Sequence, residues 1–290
     1  MANQREFGVF LRPPESVVDA NAFGVSIEAA ARNSFYCGDM LAPPRGKRGA
    51  DTAALIKAAL ESHQVALRTM FVGVEGETYA SLGDALRSNG IVNRDTREDR
   101  IREIFEVAEL TLGVGGTRVG LHPGLIHFGN VHEMSEVIRN LVDDLRSMGV
   151  GFVIETGPVE AIVMQALLQM IDRPNDLFFN LDPGNIILYQ LSDTPTRYLE
   201  GILGPLSPKQ ILLHAKDADG SNFDVSHPWF GGKDVPIGQG QVDFDELLEL
   251  LDAEGNCCDI IIEREPSPED KPRQMEDVCA GREQLQVYMS

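Results

Sequence analysis

Cysteine is scarce in this sequence, with four residues in a chain of 290. No two of them have the Cys-x-x-Cys spacing of a redox or zinc motif, and a chain of this length does not need disulfides to stabilise its core. We therefore expect reduced thiols and a cytoplasmic location. The four residues are Cys37, Cys257, Cys258 and Cys279.

Long apolar runs and basic clusters are also missing. No stretch approaches the roughly 18 apolar residues that indicate a membrane span, and the opening MANQREFGVF lacks the charged-then-apolar order of a signal peptide. The chain has 45 acidic and 25 basic residues, so its net charge is −20. Because such a surface repels phosphate backbones, binding to nucleic acid is disfavoured. We expect a soluble protein that binds neither membranes nor nucleic acid.

The sequence does contain an alternation of short apolar runs with longer amphipathic stretches. Apolar residues recur at steps of three and four in 96–113, 132–149 and 242–255, which predicts helices with one buried face. In 132–149 this stripe comprises Met134, Val137, Ile138, Leu141, Val142, Leu145 and Met148. Eight apolar runs are predicted to be strands: 7–11, 23–27, 65–72, 118–122, 151–155, 177–182, 210–215 and 259–263.

Buried strands separated by amphipathic helices indicate a parallel sheet covered by helices. Eight such units favour a closed (β/α)8 TIM barrel over an open sheet. Only a short helix, around PESVVDAN, fits between the first two predicted strands. No linker, repeat or low-complexity tract divides the chain, so we predict a single TIM-barrel domain over residues 1–290.

Long loops are predicted after the second and seventh strands, on the barrel face where active sites lie. Their aromatic residues Phe35, Tyr36, Trp229 and Phe230 are candidates for an apolar wall of the site, or for packing and subunit contacts. The second loop also contains PIGQGQ at 236–241. Barrels often bind phosphate after the seventh strand, but we favour a plain loop without a ligand as the explanation of these glycines.

Four consecutive predicted strands end in polar side chains of the kind that bind metals. They are Glu155, Asp182, His214 and Glu263. The carboxyl ends of barrel strands meet at one rim, where three carboxylates would repel one another unless a cation lay between them. Three oxygen ligands and one nitrogen suit Mn²⁺, Mg²⁺, Co²⁺ or Zn²⁺. The strand ends therefore predict a metal centre at the mouth of the barrel.

Lys216 follows His214 by two residues, so in an extended chain its side chain points the same way. It is a candidate for binding substrate oxygens or the ligand carboxylates. A salt bridge with the adjacent Asp217 at the rim is the alternative.

At these motifs the sequence resembles the xylose isomerase-like barrels, also known as sugar phosphate isomerases/epimerases. The resemblance covers most of the chain from about residue 65 onward and is clearest in FVIETG, NLDPGN, LLHAKDA and PIGQGQVDFDELLELLDAEGNCCDIIIERE. FVGVEGETY at 71–79 and VGLHPGLI at 119–126 are also similar to family segments. The family includes ketose 3-epimerases, inosose dehydratases and, more distantly, endonuclease IV.

The resemblance implies a (β/α)8 barrel with a Glu–Asp–His–Glu metal site. In this chain that site maps onto Glu155, Asp182, His214 and Glu263. In the epimerases the two glutamates also act as acid and base on opposite faces of the sugar, which makes Glu155 and Glu263 the expected catalytic pair.

Further family positions concern the substrate. His122 matches a histidine that lies near the substrate in some members. Ketose epimerases and endonuclease IV have a histidine three residues after the metal aspartate, where this chain has Asn185. We expect His122, Asn185 and Lys216 to bind substrate hydroxyls.

Together these features predict a metal-dependent isomerase or epimerase of a sugar or keto-polyol. It would remove a proton next to a carbonyl and form an enediolate, using one divalent ion for which Mn²⁺ is the first choice. An inosose-type dehydratase on the same site is the alternative. An endonuclease IV-like phosphodiesterase and a non-catalytic scaffold fit less well, because the chain has only six histidines and retains all four ligands. By analogy with the family we expect a homo-oligomer, either a dimer or a tetramer.

Overall fold

Eight parallel strands form a closed barrel at the centre of the molecule. The computed structural model describes residues 5–18, 22–78, 80–227 and 231–289. Each barrel strand pairs with the next, and the last pairs back with the first in the register Phe7–Ile260, Gly8–Ile261 and Val9–Ile262. The predicted (β/α)8 barrel is therefore confirmed. Its strands are β1 (Phe7–Arg12), β2 (Cys37–Leu41), β3 (Ala66–Phe71), β4 (Arg118–Leu121), β5 (Gly151–Glu155), β6 (Leu177–Leu181), β7 (Ile211–Ala215) and β8 (Ile260–Ile262).

Helices connect the strands and cover the outside of the barrel. The apolar stripe predicted for 132–149 lies in α5, where Met134, Ile138 and Leu141 are among its buried residues. No described helix has both the length and the apolar character needed to cross a membrane. The helices are α1 (Ile27–Arg32), α2 (Ala50–His63), α3 (Leu82–Ser88), α4 (Arg94–Gly113), α5 (Val131–Ser147), α6 (Ala161–Ile171), α7 (Pro183–Tyr189), α8 (Pro195–Ile202), α9 (Phe244–Ala253) and α10 (Gln274–Tyr288), with 3₁₀ turns at Pro208–Gln210 and Lys271–Arg273.

The second strand was assigned wrongly from the sequence. Of the predicted strand 23–27, only Val25–Ser26 pairs, as a short addition beside β1. The barrel strand is β2, which the sequence pattern placed inside a long loop because Gly38 and Asp39 interrupt its apolar run. Gly38 is needed there, since a Cβ atom at that position would lie 2.1 Å from the carbonyl oxygen of Val9.

This correction also moves two of the predicted wall residues away from the site. Phe35 and Tyr36 precede β2, so they lie towards the amino-terminal end of the barrel, opposite the rim at which the strands end. Phe35 is fully buried and packs under the guanidinium group of Arg282, 4.5 Å from the ring centre. Tyr36 is 56% exposed. The other two candidates, Trp229 and Phe230, lie outside the described residues.

Apolar side chains fill the middle of the barrel below the rim. Phe10, Phe71 and Val153 form this inner cluster, which is separate from the larger core between the strands and the helices. Gly120 makes room for Phe71, because a Cβ atom at position 120 would lie 2.7 Å from that ring. The inner cluster forms an apolar floor beneath the polar residues at the strand ends.

Candidate metal centre

Four side chains from the ends of β5 to β8 converge at the mouth of the barrel. Glu155 ends β5, Asp182 follows β6, His214 lies in β7 and Glu263 follows β8. One ligand atom from each lies within 4.8 Å of the other three, and all four residues are buried. The structure thus brings together the four residues that the strand ends predicted.

The contacts within this cluster are close but are not hydrogen bonds. His214 Nδ1 lies 2.9 Å from Glu155 Oε1 and 2.6 Å from Glu263 Oε2. Within the described part of the chain, Asp182 Oδ2, His214 Nδ1 and Glu263 Oε2 are buried and have no hydrogen-bond partner. Buried polar atoms rarely lack partners. Their convergence without partners fits a divalent cation bound between them, and carboxylate oxygens with one imidazole nitrogen are suitable ligands for such an ion.

The electrostatics of the cluster show the cost of crowding carboxylates in a buried site. Burial raises the pKa of Asp182 well above its usual value, and the neighbouring charges of Glu263 and Glu155 raise it further. Burial also acts to raise the pKa of Glu155, but His122 and His214 outweigh it and bring that pKa below its usual value. At Glu263 burial is outweighed by Lys216 and His214, which hold its pKa well below the usual range.

Local sequence explains how Asp182 presents one free oxygen. It caps the amino terminus of α7, where Pro183 occupies the first turn, and its Oδ1 accepts a hydrogen bond of 3.0 Å from the Asn185 backbone N–H. Aspartate is a preferred residue at this position. Because the cap uses Oδ1, the second oxygen is left to face the cluster. The residue that starts the helix is therefore also a candidate metal ligand.

Contacts from neighbouring strands also fix the first glutamate, Glu155. Asn180, in β6, donates from Nδ2 to Glu155 Oε1 at 3.1 Å. His122 lies on the other side, with its Nε2 3.1 Å from Glu155 Oε2. The Glu155 carboxylate thus contacts His214 of the cluster through Oε1, and it contacts His122 through Oε2.

Lys216 lies among the carboxylates of the cluster and does not pair with Asp217. Its Nζ is 2.9 Å from Glu263 Oε1, 2.7 Å from Glu265 Oε2 and 3.6 Å from Asp182 Oδ2. The alternative partner, Asp217, instead accepts hydrogen bonds from backbone N–H groups. The positive charge of Lys216 therefore offsets the negative charge of carboxylates in the cluster and in the cavity beside it.

The glycines of PIGQGQ donate hydrogen bonds to Asp217. The N–H groups of Gly238 and Gly240 both donate to Asp217 Oδ2 at 2.9 Å. These donors are the ones that a phosphate would need. The geometry thus favours the interpretation of this segment as a loop without a ligand.

A cavity of about 210 Å³ opens beside the cluster. Its polar side contains the predicted substrate residues His122, Asn185 and Lys216, together with Tyr189. Its apolar side is formed by aromatic and aliphatic side chains that the sequence analysis did not select. These are Phe10, Phe23, Leu41, Phe71 and Leu121.

Two acidic residues of the cavity and one beneath it were also missed. Glu77 and Glu265 line the cavity, while Asp39 contacts His214 from below. Glu265 could have been selected from the sequence, because it lies two residues beyond the strand-end Glu263 and so points the same way. Asp39 lies in the strand that the apolar pattern did not detect.

Comparisons with known proteins agree with this fold. The sequence profile of the family described as xylose isomerase-like TIM barrel matches residues 27–280. No curated protein matches the sequence. Among solved structures, a xylose isomerase domain protein from Planctomyces limnophilus has 27% identity and a TM-score of 0.85, over 98% of this chain and 97% of that one.

Two further solved structures share the fold at lower identity. A xylose isomerase-like TIM barrel protein from Mycobacterium smegmatis, in complex with magnesium, is 15% identical with a TM-score of 0.66, over 97% of this chain and 96% of that one. A D-psicose 3-epimerase, solved in the presence of D-fructose, is 14% identical with a TM-score of 0.68, over 98% and 99% of the two chains.

Proposed function

Because this chain belongs to the xylose isomerase-like TIM barrel family, we propose that it is a metal-dependent isomerase or epimerase of a sugar or keto-polyol. The observation that carries the proposal is the buried cluster of Glu155, Asp182, His214 and Glu263 beside a cavity of about 210 Å³. Such a cavity suits a small molecule. A solved D-psicose 3-epimerase with the same fold supports an enzyme of the sugar isomerase or epimerase kind.

The cluster residues would hold one divalent ion, for which Mn²⁺ is our first choice and Mg²⁺, Co²⁺ or Zn²⁺ are alternatives. The magnesium complex of a structural neighbour supports a hard cation with oxygen ligands. Bound there, the ion would act as a Lewis acid that polarises a substrate carbonyl and acidifies the adjacent C–H.

Glu155 and Glu263 would move the proton. The pKa values of both carboxyls lie below their usual values, through His122 at Glu155 and Lys216 at Glu263, which keeps the carboxylates ionised and able to accept one. One glutamate would remove the proton next to the carbonyl and give an enediolate. The other, after taking up a proton from solvent, would return it to the same or the neighbouring carbon.

The remaining cavity residues would orient the substrate. His122, Asn185 and Lys216 offer donors and acceptors to sugar hydroxyls, while Phe10, Phe23 and Phe71 present an apolar surface to the C–H groups. This surface also limits the water that could protonate the enediolate. Loss of a β-hydroxyl as water, as in an inosose-type dehydratase, would begin with the same proton removal and is the alternative outcome.

The proposal is tested first by metal content. We expect about one Mn, Mg, Co or Zn per purified wild-type chain, and a large loss in Asp182→Asn and Glu263→Gln. Glu103→Gln is the matched control, because Glu103 is a buried carboxylate that pairs with Arg48 in the outer layer. Metal-free wild type that also fails to bind any of these ions at millimolar concentration contradicts the proposal.

The reaction is tested next by exchange with solvent. Metal-loaded protein in D₂O should place deuterium at the carbon next to the carbonyl of a ketose or inosose in a panel of substrates. Glu155→Gln should slow that exchange by about 10²–10⁴-fold, the usual contribution of a positioned acid or base. Release of water with a new carbonyl product would instead identify the dehydratase.

A further inference from the structure

Asp39 reaches the metal cluster from below at an irregularity in the pairing of β2 with β3. Gly38 pairs with Leu67 and Met40 with Met70, so two residues of β3, Arg68 and Thr69, form a bulge opposite Asp39. The backbone N–H of Thr69 donates to Asp39 Oδ1 at 2.7 Å. Bulges redirect side chains near functional sites. Here the bulge and the Thr69 N–H fix the Asp39 carboxylate towards the inside of the barrel, where it is 2% exposed.

The second oxygen of Asp39 contacts the imidazole of the cluster. Asp39 Oδ2 lies 2.9 Å from His214 Nε2, while His214 Nδ1 faces Glu155 and Glu263. The ring is also held by aromatic neighbours. Phe10 meets it edge-on with centroids 5.6 Å apart, and Phe71 lies at 5.0 Å. The two nitrogens of His214 therefore face different partners, and the ring has little freedom to exchange them.

We infer that Asp39 is a positioning residue that keeps the proton of neutral His214 on Nε2 and so leaves Nδ1 as the metal ligand. An ionised carboxylate can only accept, so a neutral imidazole in contact with it must donate from Nε2. The lone pair of Nδ1 is then free. Carboxylates of this kind commonly fix ligand histidines in metal sites, and their removal weakens metal binding about 10- to 100-fold. The inference rests on the proposed metal function.

The isosteric substitution Asp39→Asn tests the inference directly. The wild-type carboxylate accepts one hydrogen bond on each oxygen, from Thr69 N–H and from His214 Nε2–H. An asparagine has a single oxygen. Its NH₂ group must therefore face either the Thr69 N–H or His214 Nε2, and in the second orientation the imidazole proton moves to Nδ1 and blocks the ligand position.

The first experiment measures Mn²⁺ affinity by calorimetry in wild type, Asp39→Asn and the control Glu103→Gln. We expect a dissociation constant about 10- to 100-fold higher in Asp39→Asn and one within about twofold of wild type in the control. Wild type that binds no metal refutes the proposed function. Wild type and Asp39→Asn with equal affinity refute only the role of Asp39.

The second experiment determines the protonation of His214 directly in the wild type. In Zn²⁺-loaded wild type labelled with ¹⁵N-histidine, the signals of His214 should show a proton on Nε2 and none on Nδ1. The assignment is made by comparison with His214→Gln. A proton on Nδ1, or an Nε2 that carries none, overturns the inference.

Discussion

At the scale of single residues, Lys216 supplies the positive charge that balances Glu263 and Glu265. It is buried, and burial acts to lower its pKa, but Glu263 and Glu265 outweigh that effect and raise the pKa well above its usual value. The lysine is therefore charged at neutral pH. The same interaction keeps Glu263 ionised, so the two residues depend on each other.

Replacing Lys216 with Met should shift the pH dependence of activity. Without the ammonium group the pKa of Glu263 rises, because burial is then opposed by His214 alone. A protonated Glu263 can neither bind a metal nor accept a proton. The acid limb of kcat/KM should therefore move to higher pH, with a loss of about 10²-fold at neutral pH.

The measurement is a pH–rate profile of Lys216→Met against the wild type. Lys233→Met is the matched control, since Lys233 is an exposed lysine in the same loop. An acid limb at the wild-type position would show that Lys216 does not set the charge of Glu263.

The strand-end residues could be predicted because each follows an apolar run that identifies its strand. A barrel aligns the ends of those strands, so four separate local patterns predict one site. Asp39 could not be found in this way. Its contact with His214 joins residues 175 positions apart in the sequence, and it depends on a bulge that no local pattern shows.

At the scale of secondary-structure elements, charged pairs join neighbouring outer helices. Glu133 in α5 accepts hydrogen bonds from Arg94 and Arg97 in α4, at 3.0 and 2.7 Å. These hydrogen bonds lower the pKa of Glu133 to about 2. A carboxyl whose pKa is lower in the folded than in the unfolded chain stabilises the fold above its unfolded pKa, and this contribution is lost as the pH falls towards its folded pKa.

Glu133→Gln should therefore destabilise the protein at neutral pH and lose that effect in acid. The difference in melting temperature between variant and wild type should be present above about pH 5 and should shrink between about pH 4 and pH 2. Differential scanning calorimetry across this range is the measurement. The exposed Glu136→Gln, in the same helix, serves as the control. A melting-temperature difference that stays constant with pH would contradict a stabilising role of the Glu133 carboxylate charge.

The second strand illustrates what an apolar pattern leaves out. Helix α5 and strands β4 to β8 have continuous apolar faces and were predicted with bounds close to those observed. Strand β2 has a glycine where the neighbouring backbone comes too close for a side chain and an aspartate where the site needs one. Both residues serve tertiary contacts, so they weaken the local signal.

At the scale of the whole molecule, the proposed ion should contribute to stability. A ligand that binds only the folded chain stabilises it by about 2.7 kcal/mol at a concentration 100 times its dissociation constant. Removal of the metal with a chelator should therefore lower the melting temperature by several degrees, and added Mn²⁺ should restore it. Asp182→Asn should show neither change. A wild type insensitive to both treatments would contradict a metal centre in the folded state.

The loop after β7 is closed at its base by one side chain. Asp217 accepts hydrogen bonds from Ala218, Gly238, Gly240 and Val242, and the strands Asp217–Asp219 and Lys233–Val235 pair antiparallel beside it. The two ends of the loop are thus held together independently of what lies between them. We therefore expect that changes in the length and composition of the segment between these two strands leave His214 and Lys216 in their positions at the barrel mouth.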